Sequence, residues 1–260
     1  MIANIQDNNI SYETVGDGLP LVFVHGLGGT SNVWHAQRAG LAKFFKVITL
    51  DLPGSGRSDK SGRLYSMEKW CAQLAGLADA IQIDKFVLVG HSMTTVLAQK
   101  FAAKHGARLH ALVLCGPMTE LAAAGKEAFT KRAETVVKDG MIAVADTILG
   151  GALTPATREA NPALAGLVRD MLLSNDSVCY AGHCQALLSG SAKADQAGIK
   201  CPTLILVGDQ DGVTPLANAR AIAAAVAGAK IRIIPATAHL TMLERPELFN
   251  AALIEFLAGL

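Results

Sequence analysis

Six short apolar runs punctuate the chain: 21–25 (LVFVH), 47–51 (VITLD), 86–90 (FVLVG), 111–115 (ALVLC), 203–208 (TLILVG) and 231–235 (IRIIP). Each runs into glycine, proline or another turn-forming residue. Near-continuous hydrophobicity over four to six residues suits strands covered on both faces, as in a parallel sheet. Between these runs, apolar positions recur three and four residues apart. Ser66 is placed to cap one helix, which continues through Trp70, Leu74, Leu77 and Ile81. Further helices are expected over about 93–105, 217–226 and 246–257, the last opening on Pro246, whose missing N–H is not needed in a first turn. Strands alternating with helices imply right-handed crossovers and a doubly wound, mostly parallel α/β sheet.

The alternation breaks between 117 and 197. That stretch is helical in composition, notably at 141–149, 164–173 and 180–188, and holds no convincing strand. It reads as a helical cap inserted into one α/β core formed by residues 1–116 and 198–260.

With 260 residues, 51% of them hydrophobic and 17% charged, the chain can bury a large core. Its 23 basic and 22 acidic residues give a formal net charge of +1, without a polybasic run. Attraction to nucleic acid or to an anionic membrane has nothing to act through, so the expected partner is a small molecule. Residues 1–12 lack the basic and apolar regions of a signal peptide, and no apolar run approaches a bilayer span. Five cysteines at irregular spacing suit reduced thiols, and a soluble, cytoplasmic protein is expected. Cys179 and Cys184 flank His183, but four closely spaced ligands are not present, so no metal site is expected.

The most informative stretch is 86–95, FVLVGHSMTT. A buried strand ends at Gly90, Ser92 follows in a tight turn, and a helix begins at once. This is the context of the nucleophile elbow, G-x-S-x-G, in which the turn lifts a serine hydroxyl above the sheet edge. Thr94 stands where the second glycine is usual. Ser92 as a plain helix cap is the bland alternative. Its partners should come from later loops, in the order serine, acid, histidine. The run at 203–208 leads into Asp209-Gln210-Asp211-Gly212, where G-x-x-D points to Asp211, with Asp209 as rival. The run at 231–235 leads to His239 in the last strand-to-helix loop. His91 is expected to point away from the nucleophile, and His25 to organise its own loop.

Strand 21–25 runs into Gly26-Leu27-Gly28-Gly29. The oxyanion donors are therefore assigned to the backbone N–H groups of Leu27 and Met93. Gly26-x-Gly28 with Asp51 beyond imitates a dinucleotide fingerprint, but Ser31 stands where the third glycine belongs, so no cofactor is expected.

Together VHGLGG, DLPGSGRSD, GHSM, GDQDGVTP and AHLTMLERPELF resemble the signatures of the α/β-hydrolase superfamily, over about residues 8–257. The resemblance implies a cap above a serine–histidine–acid site. Ser92 separates the chain from dehalogenases and epoxide hydrolases, which use an aspartate nucleophile. The loop His25-Gly26-Leu27-Gly28 differs from the HGWP of cofactor-free haloperoxidases. The stretches 138–146, 168–173 and 180–187 look most like the cap of 3-oxoadipate enol-lactonases.

The expected activity is hydrolysis of a small ester or lactone through Ser92, His239 and Asp211. The alternatives are carbon–carbon cleavage of a ring-fission product, or a ligand receptor without turnover. Trp34, Met118, Met141, Leu149, Met171 and Tyr180 are candidate pocket residues. Arg132, Arg158 and Arg169 are candidate partners for an anionic substrate.

Overall fold

The computed structural model describes residues 1–61 and 64–260, with every side chain among them except that of Ala124. Eight strands form one sheet, in the order β1-β2-β4-β3-β5-β6-β7-β8. They are β1 (Ile2–Ile5), β2 (Asn8–Val15), β3 (Pro20–Val24), β4 (Lys46–Leu50), β5 (Phe86–His91), β6 (Leu109–Cys115), β7 (Thr203–Gly208) and β8 (Lys230–Ile234). From β4 to β8 all pairings are parallel. The strands β5, β6 and β7 are buried almost throughout, which is why their centres are written mostly in Val, Leu and Ile.

The sequence pattern missed β1 and β2. They form an antiparallel hairpin through Gln6 and Asp7, at φ +51° and +60°, and β2 adds antiparallel to β4. Both strands lie toward one edge and are partly exposed, so polar residues interrupt them and neither shows a continuous apolar run.

Helices cover both faces: α1 (His35–Leu41), α2 (Met67–Ala80), α3 (Met93–His105), then, after the inserted helices, α9 (Leu216–Ala225), α10 (Thr241–Glu244) and α11 (Pro246–Ala258). Ser66 caps α2, its hydroxyl accepting from Lys69 N at 3.1 Å. Two apolar clusters result, one on each face. Trp70, Leu74, Leu97 and Phe101 belong to one; Trp34, Phe23, Phe249 and Leu253 belong to the other.

Between β6 and β7 come α4 (Ala123–Asp139), α5 (Ile142–Ala152), α6 (Pro155–Ala160), α7 (Pro162–Leu173) and α8 (Ser177–Ser189). This insertion carries a small core of its own, in which Ala133, Val136 and Met141 meet Tyr180 and Cys184. Polar links fasten it to the loops beneath. His183 Nε2 on α8 donates to Pro53 O at 2.8 Å, and Asn175 Nδ2 donates to Gly28 O at 2.9 Å. The Glu244 carboxylate accepts from Thr154 N at 2.8 Å and Ala238 N at 2.6 Å, joining the insertion to the loop that carries His239. All five cysteines are buried thiols, and burial pushes Cys71 and Cys184 up to about 12. Among the described residues no helix is long and apolar enough to cross a membrane.

Candidate active site

Parallel strands deliver their following loops to one edge of the sheet, and three such loops meet here. At the end of β5 the chain turns so sharply that Ser92 adopts φ +53°, ψ −119°, a backbone region that non-glycine residues avoid. The turn is held by Ser92 N, which donates to Cys115 O at 2.9 Å. It also demands bare neighbours. A Cβ on Gly26 would lie 2.7 Å from His91 Nδ1 and 3.0 Å from Ser92 Cβ, so only glycine lets the β3 loop approach this closely.

The loops after β7 and β8 supply the other two groups. His239 Nδ1 lies 2.8 Å from Asp211 Oδ2, and both residues are buried. Asp211 Oδ1 accepts from Val213 N at 2.9 Å and Thr214 N at 2.8 Å, while Oδ2 also accepts from the Thr214 hydroxyl at 2.8 Å. Burial pushes the Asp211 carboxyl up, but His239 and these Thr214 donors outweigh it and hold it below the usual carboxylate range. It is therefore an anion, and its Oδ2 orients the imidazole by accepting from Nδ1. The rival Asp209 accepts instead from Thr237 N at 3.2 Å and serves the turn. Gly116, at φ +52°, leaves room for the ring: a Cβ there would sit 3.0 Å from His239 Cε1.

His91 lies against His239. Its ring packs beside that of His239, centroids 4.7 Å apart, and its Nε2 donates to His239 O at 3.1 Å. Burial, then the neighbouring His239, lowers it to about 3, so it stays neutral and holds the His239 backbone. His25 does organise its loop, with Nδ1 donating to Gly26 O at 2.8 Å and Nε2 accepting from Leu52 N at 3.1 Å. Asp51 accepts from the N–H groups of Ser31 at 2.6 Å and Arg57 at 2.9 Å, which accounts for its place in the imitation fingerprint.

Gly29 N donates to Gly26 O at 3.1 Å, closing a turn with Gly28 at φ +71°. Among the described residues no acceptor meets the Leu27 amide, and Met93 opens α3, where helical amides lack an intrahelical acceptor. Ser92 and His239 line a cavity of about 440 Å³ between the sheet edge and the inserted helices, with Leu27, Met118, Phe129, Arg132, Ile148 and Tyr180 among its walls. A smaller cavity of about 60 Å³ touches the same two residues from the side of Gly26, Met171 and Leu172.

Of the residues expected to line a pocket, Met118 and Tyr180 face the larger cavity and Met171 the smaller. Trp34, Met141 and Leu149 line neither. Trp34 is fully buried against Phe23 and Phe249, Met141 lies in the core of the insertion, and Leu149 packs on the main core without reaching the cavity, whereas Ile148 packs there and lines the cavity too. Arg132 alone of the three arginines lines the larger cavity; Arg169 pairs with exposed Asp146, and Arg158 lies elsewhere. Thr214, Asn175 and Glu244 were not singled out in the sequence. The Thr-Pro pair after Asp211 and a glutamate amid the apolar residues near His239 were the available signals.

A family model described as "alpha/beta hydrolase fold" matches residues 20–246, most of the chain. The chain belongs to the alpha/beta hydrolase fold family. Within that family it is similar to 3-oxoadipate enol-lactonase 2 of Acinetobacter baylyi, at 26% identity over 95% of this chain and 92% of the relative. Among solved alpha/beta hydrolase structures, a thermophilic esterase from Thermogutta terrifontis superposes with a TM-score of 0.92 at 30% identity, covering 97% of this chain and 94% of that one. The enol-lactonase of Burkholderia xenovorans superposes at 0.94 with 27% identity, covering 99% and 100%.

Proposed function

We propose that this chain is a serine hydrolase that cleaves a small carboxylic ester or lactone through Ser92, His239 and Asp211. The observation that carries the reading is the buried Asp211–His239 pair at 2.8 Å, sharing one cavity with a serine in a strained turn. The relatives named as esterase and enol-lactonases support the same bond class. His239 takes the Ser92 proton as the hydroxyl oxygen attacks the carbonyl carbon. The Leu27 and Met93 amides stabilise the resulting oxyanion, and Asp211 stabilises the imidazolium. The carbon–oxygen bond to the alcohol or enol then breaks, and His239 returns the proton to that leaving oxygen. Water, deprotonated by His239, releases the acid from the acyl-enzyme. The inserted helices form the cap that shapes the substrate space.

The test is fluorophosphonate labelling with intact-mass analysis, alongside turnover of p-nitrophenyl acetate. One adduct on Ser92 is expected, and Ser92→Ala should lower kcat by roughly 10⁶-fold. Near-normal turnover by that variant would sink the proposal.

A further inference from the structure

Thr94 breaks the glycine pattern of the elbow, and its hydroxyl is fully buried at the seam between the two strands whose loops carry the proposed oxyanion donors. The β3–β5 ladder ends at the pair Val24–Gly90. Leu27 and Met93 lie three residues beyond that pair, one on each chain segment. Thr94 Oγ1 occupies the gap. It accepts from His91 N at 3.0 Å, and its one proton is shared between Val24 O and His91 O, each 3.0 Å away. The contact to His91 O is the ordinary back-bond of a helical threonine. The contact to Val24 O is not: it crosses from the elbow to the neighbouring strand, where a glycine would offer no bond.

We propose that Thr94 is a positioning residue for oxyanion stabilisation, its hydroxyl extending the β3–β5 stitching so that the Leu27 and Met93 amides are held in register. The inference rests on the serine-hydrolase reading above. Two neighbours brace the same assembly. Thr95 Oγ1 donates to Ser92 O at 2.6 Å and accepts from Met118 N at 3.0 Å, fixing the elbow from the opposite side. Gly26 packs directly against His91 and Ser92, so a shift of the β3 loop cannot be absorbed by slack between them.

The experiment compares Thr94→Val, Thr94→Ala and Thr94→Ser with the parent on p-nitrophenyl acetate. Active sites are counted by fluorophosphonate titration, and affinity is measured for a trifluoromethyl ketone, whose adduct presents an oxyanion. Removing a donor outright costs about 10²–10³ in kcat, so misaligning one by Thr94→Val or Thr94→Ala is expected to cost about 10- to 100-fold per titrated site, with KM changed less than about twofold. The ketone should weaken by the same factor, and Thr94→Ser should restore both. The proposal is overturned if Thr94→Val and Thr94→Ala keep kcat within about threefold per titrated site, if ketone affinity is unchanged while kcat falls, or if Thr94→Ser is as damaged as Thr94→Val. Failure of the hydrolase reading is distinguishable, because it shows in the parent as an unlabelled Ser92 or in Ser92→Ala as retained turnover.

Discussion

Two aspartates two positions apart, Asp209 and Asp211, share a loop and a residue type, yet the fold gives them different work. Asp211 meets the imidazole, and Asp209 ties a turn. Asp211→Asn leaves the shape intact but presents the wrong hydrogen-bonding partner to His239, and a loss of about 10⁴ in kcat is expected. Asp209→Asn should cost less than tenfold, as hydrolysis of p-nitrophenyl acetate would measure; equal losses would contradict the assignment of the acid. At this scale the sequence was informative because an elbow, an acid loop and a histidine loop occur in a fixed chain order. What it concealed were the residues that hold those three by main-chain contacts. Glu244 is the clearest case: a glutamate among apolar residues hints at a buried role, but not that its two oxygens reach amides at 154 and 238. Glu244→Ala leaves both buried N–H groups without that acceptor, and a loss of about 2–4 kcal/mol is expected in urea denaturation. An unchanged midpoint would contradict the role.

The strands β3 to β7 were legible because burial on both faces leaves no alternation to confuse, whereas the β1–β2 hairpin was not, being half exposed. The inserted helices were recognisable as helices, but which residues face the cavity depends on how α4, α5 and α8 pack. Ile148 and Leu149 are adjacent and both pack on the same apolar cluster, yet only Ile148 also lines the cavity. Packing also selects Arg132. Its guanidinium lies 4.6 Å over the Phe129 ring, it is half-buried in the cavity wall, and no carboxylate pairs with it among the described residues. Arg132→Met should therefore lower kcat/KM for a half-ester carrying a second carboxylate by about 10- to 100-fold, the value of a hydrogen-bonded charge, and leave a neutral acetate ester within threefold. Parallel losses on both substrates would show that the arginine only supports the helix.

Across the whole molecule, histidines set the response to acid. Burial lowers His183 to about 4 and His91 to about 3, and also lowers His25. Each is neutral when folded and gains a proton on unfolding below its ordinary value of 6.5, so the unfolded chain binds more protons there. Stability is then full above about pH 6.5 and falls as pH drops toward 4, by about 3 kcal/mol through His183 alone. Asp211 contributes with the usual carboxylate sign, its share present above 3.8 and lost as pH falls through its lowered value. Urea midpoints between pH 7.5 and 4 should decline, and His183→Gln, which keeps an N–H for Pro53 O without titrating, should flatten the slope. A pH-independent midpoint would contradict this account.

The sequestered sulfurs make the chain its own unfolding gauge. A thiol held at about 12, as at Cys71 and Cys184, is scarcely ionised near neutrality and is walled off from solvent. Ellman's reagent should therefore colour slowly with native protein and reach five equivalents once urea opens it. The colour rate at intermediate urea then counts excursions from the folded state, with no engineered label required.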